Sequence, residues 1–162
     1  KIHLYIVGFQ IYKCQLIVLY YIWKKIQMYP EEIVKPMKLE LTSNGFKELS
    51  NNDDVKRLIE NGSSLIIINS VCGCAAANAR PGVISSLEND KIPDNLFTAF
   101  AGVDREATDS ARQLMFPFPP SSPSIALFKN GELVHMLERH HIEGRDAAII
   151  AENLKQAYNE FC

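Results

Sequence analysis

The residues best suited to chemistry are Cys72 and Cys74, separated only by Gly73. The apolar run Leu65-Ile66-Ile67-Ile68 leads into Asn69-Ser70-Val71, then the two thiols, then Ala75-Ala76-Ala77-Asn78-Ala79-Arg80. That pattern predicts a buried strand feeding a helix, with both cysteines in the helix's first turn. Unpaired N–H groups and the positive end of the helix dipole stabilise an anion there, so a cysteine in that place tends toward thiolate. The thiolate is the attacking species in thiol–disulfide exchange. A ring closed over one intervening residue is tight, which makes an internal Cys72–Cys74 disulfide easy to open. The spacing therefore argues against a strong dithiol reductant. It favours a centre that holds a mixed disulfide, or that shuffles and donates disulfides. Gly73 is expected to supply any unusual backbone conformation the short ring demands.

The elements that position these thiols are set by the rest of the chain. Its 162 residues, 47% of them hydrophobic, are enough for one globular domain with a sizeable core. A net charge of −2 does not mark a nucleic-acid binder. Four cysteines could make two structural bridges, but a chain of this size and apolar content does not need such staples. A reducing compartment and a reactive pair are the favoured reading, and a second Cys/His pair with zinc-ligand spacing is missing. Residues 1–27 differ in character from the remainder. They are rich in Ile, Leu, Tyr and Val, yet Lys13 divides them, whereas a membrane span needs about 20 nearly uninterrupted apolar residues. No small-residue cleavage site succeeds them. This stretch reads as an upstream extension or mis-set start with Met28 as the natural beginning, a membrane anchor or interfacial helix being the minority alternative. Cys14 lies in it and is assigned no role.

From Pro30 a helix is expected through Leu41, kinked or split at Pro36. Asn52-Asp53-Asp54 should cap a short helix over Val55 to Glu60, closed by Asn61-Gly62. The strand over Leu65–Asn69 and the cysteine helix come next, and Pro81-Gly82 should kink that helix without ending it. A second strand over Leu96–Ala101 is joined to the first by a long crossover, which implies a parallel pair. Asp104 should cap a helix running to about Met115. The proline-rich segment 116–124 cannot be regular structure. Ile125–Phe128 and Leu133–Leu137 flank Asn130-Gly131, a strong hairpin signal. An amphipathic helix over Asp146 to Phe161 closes the chain. This order predicts a four-stranded mixed sheet between helices, with the thiols at the carboxyl end of a parallel strand, where open α/β sheets place their chemistry. The arrangement is similar to the thioredoxin-like fold.

The residues around the thiols carry a closer likeness. Asn69-Ser70-Val71-Cys72-Gly73-Cys74-Ala75-Ala76-Ala77-Asn78-Ala79-Arg80-Pro81-Gly82 resembles the bacilliredoxin family, with its Cys-Gly-Cys centre. So do Met28-Tyr29-Pro30-Glu31-Glu32, Pro117-Phe118-Pro119-Pro120-Ser121-Ser122-Pro123-Ser124 and Arg139-His140-His141-Ile142-Glu143-Gly144-Arg145. The resemblance runs from Met28 to Cys162, and its one small departure is Ala77, where a glycine is familiar. It implies removal of bacillithiol from S-bacillithiolated cytoplasmic proteins, with bacillithiol as the co-substrate and no metal or flavin required. Cys72 is then the nucleophile that takes up bacillithiol, and Cys74 the resolving or regulatory thiol. Thioredoxin-like proteins place a cis proline opposite the catalytic cysteine. Ser122-Pro123 stands in that place, so a cis bond is expected there, with its backbone aligned to an extended substrate. Arg80 is a candidate ligand for the carboxylates of bacillithiol, although an arginine there is more often a solvated helix residue or the partner of a local acid.

Other readings stay open on the residues alone. The pair would also suit a general protein disulfide isomerase, or a redox sensor that stores an oxidation state without turnover. Adjacent His140 and His141 on an extended segment would point to opposite faces, so a structural or surface role is preferred to a shared ligand role. Cys162 is expected to be mobile and incidental.

Overall fold

A computed structural model describes residues 29–51 and 53–162. The expectations for residues 1–28, Cys14 among them, and for Asn52 lie outside the described residues.

The central strand β2 (Ser63–Asn69) is buried along its whole length. Its run of branched apolar side chains is explained by coverage on both faces. Leu65 and Ile67 enter one core with Val83, Ile150, Leu154 and Tyr158. Ile66 and Ile68 enter the other with Phe97, Ala107, Ala111 and Phe128. β2 pairs in parallel with β3 (Asn95–Phe100) and antiparallel with β4 (Ser124–Lys129). β4 turns into β5 (Glu132–Leu137) at Asn130-Gly131. Both turn residues have positive φ, 51° and 83°, as a type I′ turn requires. The expected parallel pair and hairpin are both present.

Among the described residues the sheet has five strands in the order β1-β3-β2-β4-β5, one more than the sequence predicts. The added edge strand β1 is Lys47–Glu48, paired in parallel with β3. Two charged, exposed residues carry no alternating apolar signal, so nothing in their pattern marks a strand.

Six α-helices flank the sheet among the described residues: α1 (Glu31–Thr42), α2 (Val55–Leu58), α3 (Arg80–Ser86), α4 (Arg105–Leu114), α5 (Arg139–Ile142) and α6 (Ala147–Phe161). α1 runs through Pro36 without a break, so the predicted split does not occur. Asp54 caps α2 by accepting the N–H of Arg57, and Asp146 caps α6 by accepting that of Ala148. Asp104 stands before α4 but does not cap it. Its carboxylate instead accepts from the N–H of Phe100 and from Lys38 Nζ, tying α4 back to β3 and α1. Burial lowers the pKa of Lys38, but Glu48 and Asp104 outweigh that and leave it raised.

α3 follows a π-helical turn, Ala75–Ala79, in which the N–H of Arg80 reaches the carbonyl of Ala75. The widened turn lies directly before Pro81, which has no N–H to donate and would crowd a regular helix. The kink expected at Pro81-Gly82 is thus taken up as an inserted residue. Gly82 then lets α3 approach α6 closely: a Cβ there would lie 2.9 Å from Ile150 Cβ and 3.0 Å from the Ala147 carbonyl.

Candidate active site

β2 ends at Asn69, and the chain rises through Ser70 and Val71 to Cys72 at the carboxyl edge of the sheet. The Cys72 carbonyl accepts the N–H groups of Ala75 and Ala76 at 3.1 and 3.2 Å, which opens the helical turn. Cys72 Sγ accepts the N–H of Ala75 at 3.3 Å. The sulfur therefore occupies the place that a serine or aspartate oxygen takes at an N-cap. A second donor is Ser70, whose hydroxyl lies 3.2 Å from the same sulfur. Two donors and the start of a helix all face one sulfur. That arrangement favours its anionic form.

Cys72 and Cys74 are joined as a disulfide, with Cα atoms 5.4 Å apart. Both are partly exposed, and Gly73 between them is open to solvent. Gly73 does not have a positive φ, and a Cβ at its position would meet nothing within 4 Å. The expectation that the ring needs glycine's backbone freedom is therefore corrected. What glycine leaves at this position is an uncovered approach to the sulfurs.

The Ser122–Pro123 bond is cis, in agreement with the sequence-based expectation. Ser124 pairs with Ile68, so antiparallel register brings Pro123 to the same end of the sheet as the thiols. A second cis bond, Phe116–Pro117, belongs to the same loop and had no signal in the sequence. Arg139 closes this side. Its backbone N–H reaches Ser121 Oγ and its guanidinium reaches the Ser122 carbonyl, each at 3.4 Å. The guanidinium also pairs with Glu143 at 3.0 Å, and this contact holds the Glu143 carboxyl below its usual pKa. The i, i+4 spacing of Arg139 and Glu143 was readable as a helical pair, but only if the segment was recognised as helical.

That segment is helical, not extended as expected. His140 and His141 consequently lie side by side in a tilted contact, ring centroids 3.8 Å apart and planes at 47°, instead of facing opposite ways. With Glu138 they bring ligand atoms within 4.8 Å of one another. His141 Nδ1 already accepts the N–H of Glu138 at 3.1 Å, forming a reciprocal cap for α5. A structural role accounts for it.

Arg80 is not at the surface of the site. Its side chain is 2% exposed and lies behind the motif. Nε pairs with Glu40 at 2.5 Å, while Nη1 reaches Asn69 Oδ1 and the Ser70 carbonyl at 3.2 and 3.3 Å. Nη2 reaches the other Glu40 oxygen at 3.3 Å. A guanidinium so enclosed does not face an incoming ligand. Cys162 also departs from expectation: it is a free thiol packed against the core edge at the end of α6. Burial pushes its pKa up.

Comparison with known proteins agrees with this geometry. The family model described as "Disulphide isomerase" matches residues 29–162. A bacilliredoxin of Cytophaga hutchinsonii is 58% identical over 134 residues, 82% of this chain and 99% of its own length. The chain belongs to the bacilliredoxin family. Bacilliredoxin BH1716 of Halalkalibacterium halodurans is 50% identical over 83% of this chain and 94% of its own. A solved structure described as having a thioredoxin fold superposes with a TM-score of 0.54 at 24% identity, covering 68% of this chain and 90% of that one. The fold is thioredoxin-like, and the bacilliredoxin centre makes the chain a thiol–disulfide oxidoreductase.

Proposed function

We propose that this bacilliredoxin removes bacillithiol from S-bacillithiolated proteins, with Cys72 as nucleophile and Cys74 as the resolving thiol. The observation that carries the assignment of Cys72 is its sulfur's place at the opening of the helix, accepting from Ala75 and Ser70. Cys74 lies two residues further on, in the same turn. In the first step the Cys72 thiolate attacks the bacillithiol sulfur of the mixed disulfide. A Cys72–bacillithiol disulfide forms, the client thiolate leaves, and it takes a proton from water. In the second step the Cys74 thiolate attacks Cys72 Sγ, releasing bacillithiol as its thiolate and forming the Cys72–Cys74 disulfide seen here. The closed pair is two electrons more oxidised than the dithiol, and bacillithiol and the client thiol carry those electrons away. Bacillithiol is thus a co-substrate and no resident cofactor takes part.

Ser122 and Pro123 are the proposed substrate-facing backbone, supported by their register beside the end of β2. Arg80, enclosed by Glu40, acts from behind the motif rather than on bacillithiol. Residues 28–162 are taken as one catalytic domain. A reducing compartment, the cytoplasm, would keep its thiols available. No helix among the described residues is long and apolar enough to cross a membrane.

The test is mass spectrometry of the Cys72 peptide after incubation with a bacillithiolated protein. Cys74→Ser should accumulate bacillithiol on Cys72, and Cys72→Ser should release none from the client. Release by Cys72→Ser would overturn the nucleophile. The description of the family model favours a second reading, isomerisation of protein disulfides. Faster turnover of a scrambled protein disulfide than of a bacillithiolated protein would favour it.

A further inference from the structure

The buried polar chain behind the thiols is not used by the exchange steps above. Ser70 is 8% exposed and Arg80 2% exposed, both far below what their polarity would favour without partners. Their contacts form one sequence. Glu40 on α1 holds Arg80 Nε, Arg80 Nη1 holds Asn69 Oδ1 and the Ser70 carbonyl, and Asn69 Oδ1 accepts the Ser70 N–H at 2.8 Å. The backbone of Ser70 is therefore gripped at both its N–H and its carbonyl. Its hydroxyl is left to point at Cys72 Sγ, 3.2 Å away.

We infer that Ser70 is a further catalytic residue, donating its hydroxyl hydrogen bond to the Cys72 thiolate, and that Arg80, clamped by Glu40, is the positioning residue that aims it. This rests on the reading of Cys72 as nucleophile. A disulfide sulfur is a weak acceptor, so the Ser70 contact contributes little in the oxidised state. When Cys72 is a thiolate the same contact becomes charge-assisted and about twice as strong. The gain belongs to the ionised state alone, which is what lowers a thiol pKa. The same donor would make Cys72 the better leaving group whenever an external thiol attacks Cys74 of the disulfide, because lower-pKa thiols leave faster. Asn69 and Arg80 could not replace Ser70 here, since their side chains contact backbone, each other and the Glu40 carboxylate rather than the sulfur. Burying a guanidinium costs stability unless it is fully paired, and Glu40 with the two acceptors near Ser70 supplies that pairing.

The test is the rate of Cys72 alkylation by iodoacetamide against pH, in the full chain carrying Cys74→Ser, read on the Cys72 peptide by mass spectrometry. Ser70→Ala should raise the midpoint by about one pH unit, and Ser70→Thr, which keeps a hydroxyl, should restore much of it. Arg80→Gln should raise the midpoint in the same direction by a smaller amount. Added to Ser70→Ala it should cause no further shift, because its effect passes through Ser70. An unmoved midpoint in Ser70→Ala would remove Ser70 from catalysis. Additive shifts in the double variant would mean that Arg80 acts on the thiolate directly, and would overturn its positioning role. Should Arg80→Gln fail to fold, Glu40→Gln on the exposed side of the clamp enters the same double-variant comparison under the same criterion. The titration contains no bacillithiol, so its outcome is independent of whether bacillithiol is the true co-substrate.

Discussion

At the residue scale, the oxidoreductase is organised around a single sulfur. Cys72 opens the helix with its own carbonyl and caps it with its own side chain. Cys74, two residues on, is the natural partner because the turn brings the Cα atoms to 5.4 Å. Gly73 has room around it and no left-handed backbone, so Gly73→Ala should leave the melting temperature unchanged or slightly raised. A fall of several degrees in a thermal melt would mean that the loop needs a freedom the structure does not display. Cys162 gives the contrast to Cys72. Burial raises its pKa, so less of it is thiolate at neutral pH. In the reduced protein at neutral pH, peptide-resolved alkylation should find Cys162 reacting more slowly than Cys72, and the opposite order would contradict the assigned environments.

At the element scale, the helix that carries the thiols is fixed from two sides. α6 lies against it at Gly82, and α1 reaches it through the Glu40–Arg80 pair. The close approach at Gly82 is to the Cβ of Ile150 and to a backbone carbonyl, neither of which can swing away. Gly82→Ala should therefore cost about 1–3 kcal/mol, read as a lower midpoint in urea unfolding. An unchanged midpoint would show that α3 and α6 can separate freely. The π-helical turn between the thiols and Pro81 was not readable as such. Proline marked a disturbance, but whether a helix kinks, ends or widens depends on what packs on either side of it. The same limit explains α5. Arg139-His140-His141 has no apolar periodicity, and the turn is held by the Glu138–His141 cap, the Arg139–Glu143 pair and Ile142 buried in the core.

At the scale of the whole molecule, Tyr158 and Asp94 tie stability to the pH of the solvent in opposite directions. Tyr158 is fully buried beside Ser86, 3.0 Å between hydroxyls, and burial raises its pKa well above the ordinary tyrosine value. Its folded-state pKa lies above the unfolded value. Its contribution to stability is thus complete below about pH 10 and is lost as pH rises beyond it. Tyr158→Phe should lose about 1 kcal/mol at neutral pH but flatten the fall in melting temperature as pH rises above about 10. Asp94 works in the other direction. The backbone and side chain of Ser63 donate to it and hold its pKa below the ordinary carboxylate value. Its contribution is present above about pH 4 and disappears as pH falls through the lowered value, so Asp94→Asn should be less sensitive to acid than the parent chain.

Much of this was legible in one dimension. The run Leu65–Ile68, buried on both faces, declared a central strand, and Asn130-Gly131 declared the hairpin turn. Cys72-Gly73-Cys74 after that strand declared a reactive centre, and four motifs declared the bacilliredoxin family. These are local signals, carried by side-chain period and backbone preference within a few residues. What the tertiary structure alone decided is contact between distant segments. It paired Lys47–Glu48 with β3, turned Arg80 inward onto Glu40 forty positions away, and aimed Ser70 at Cys72. Arginine in a helix reads as solvated until another helix covers that face, because burial belongs to the packed assembly and not to the residue.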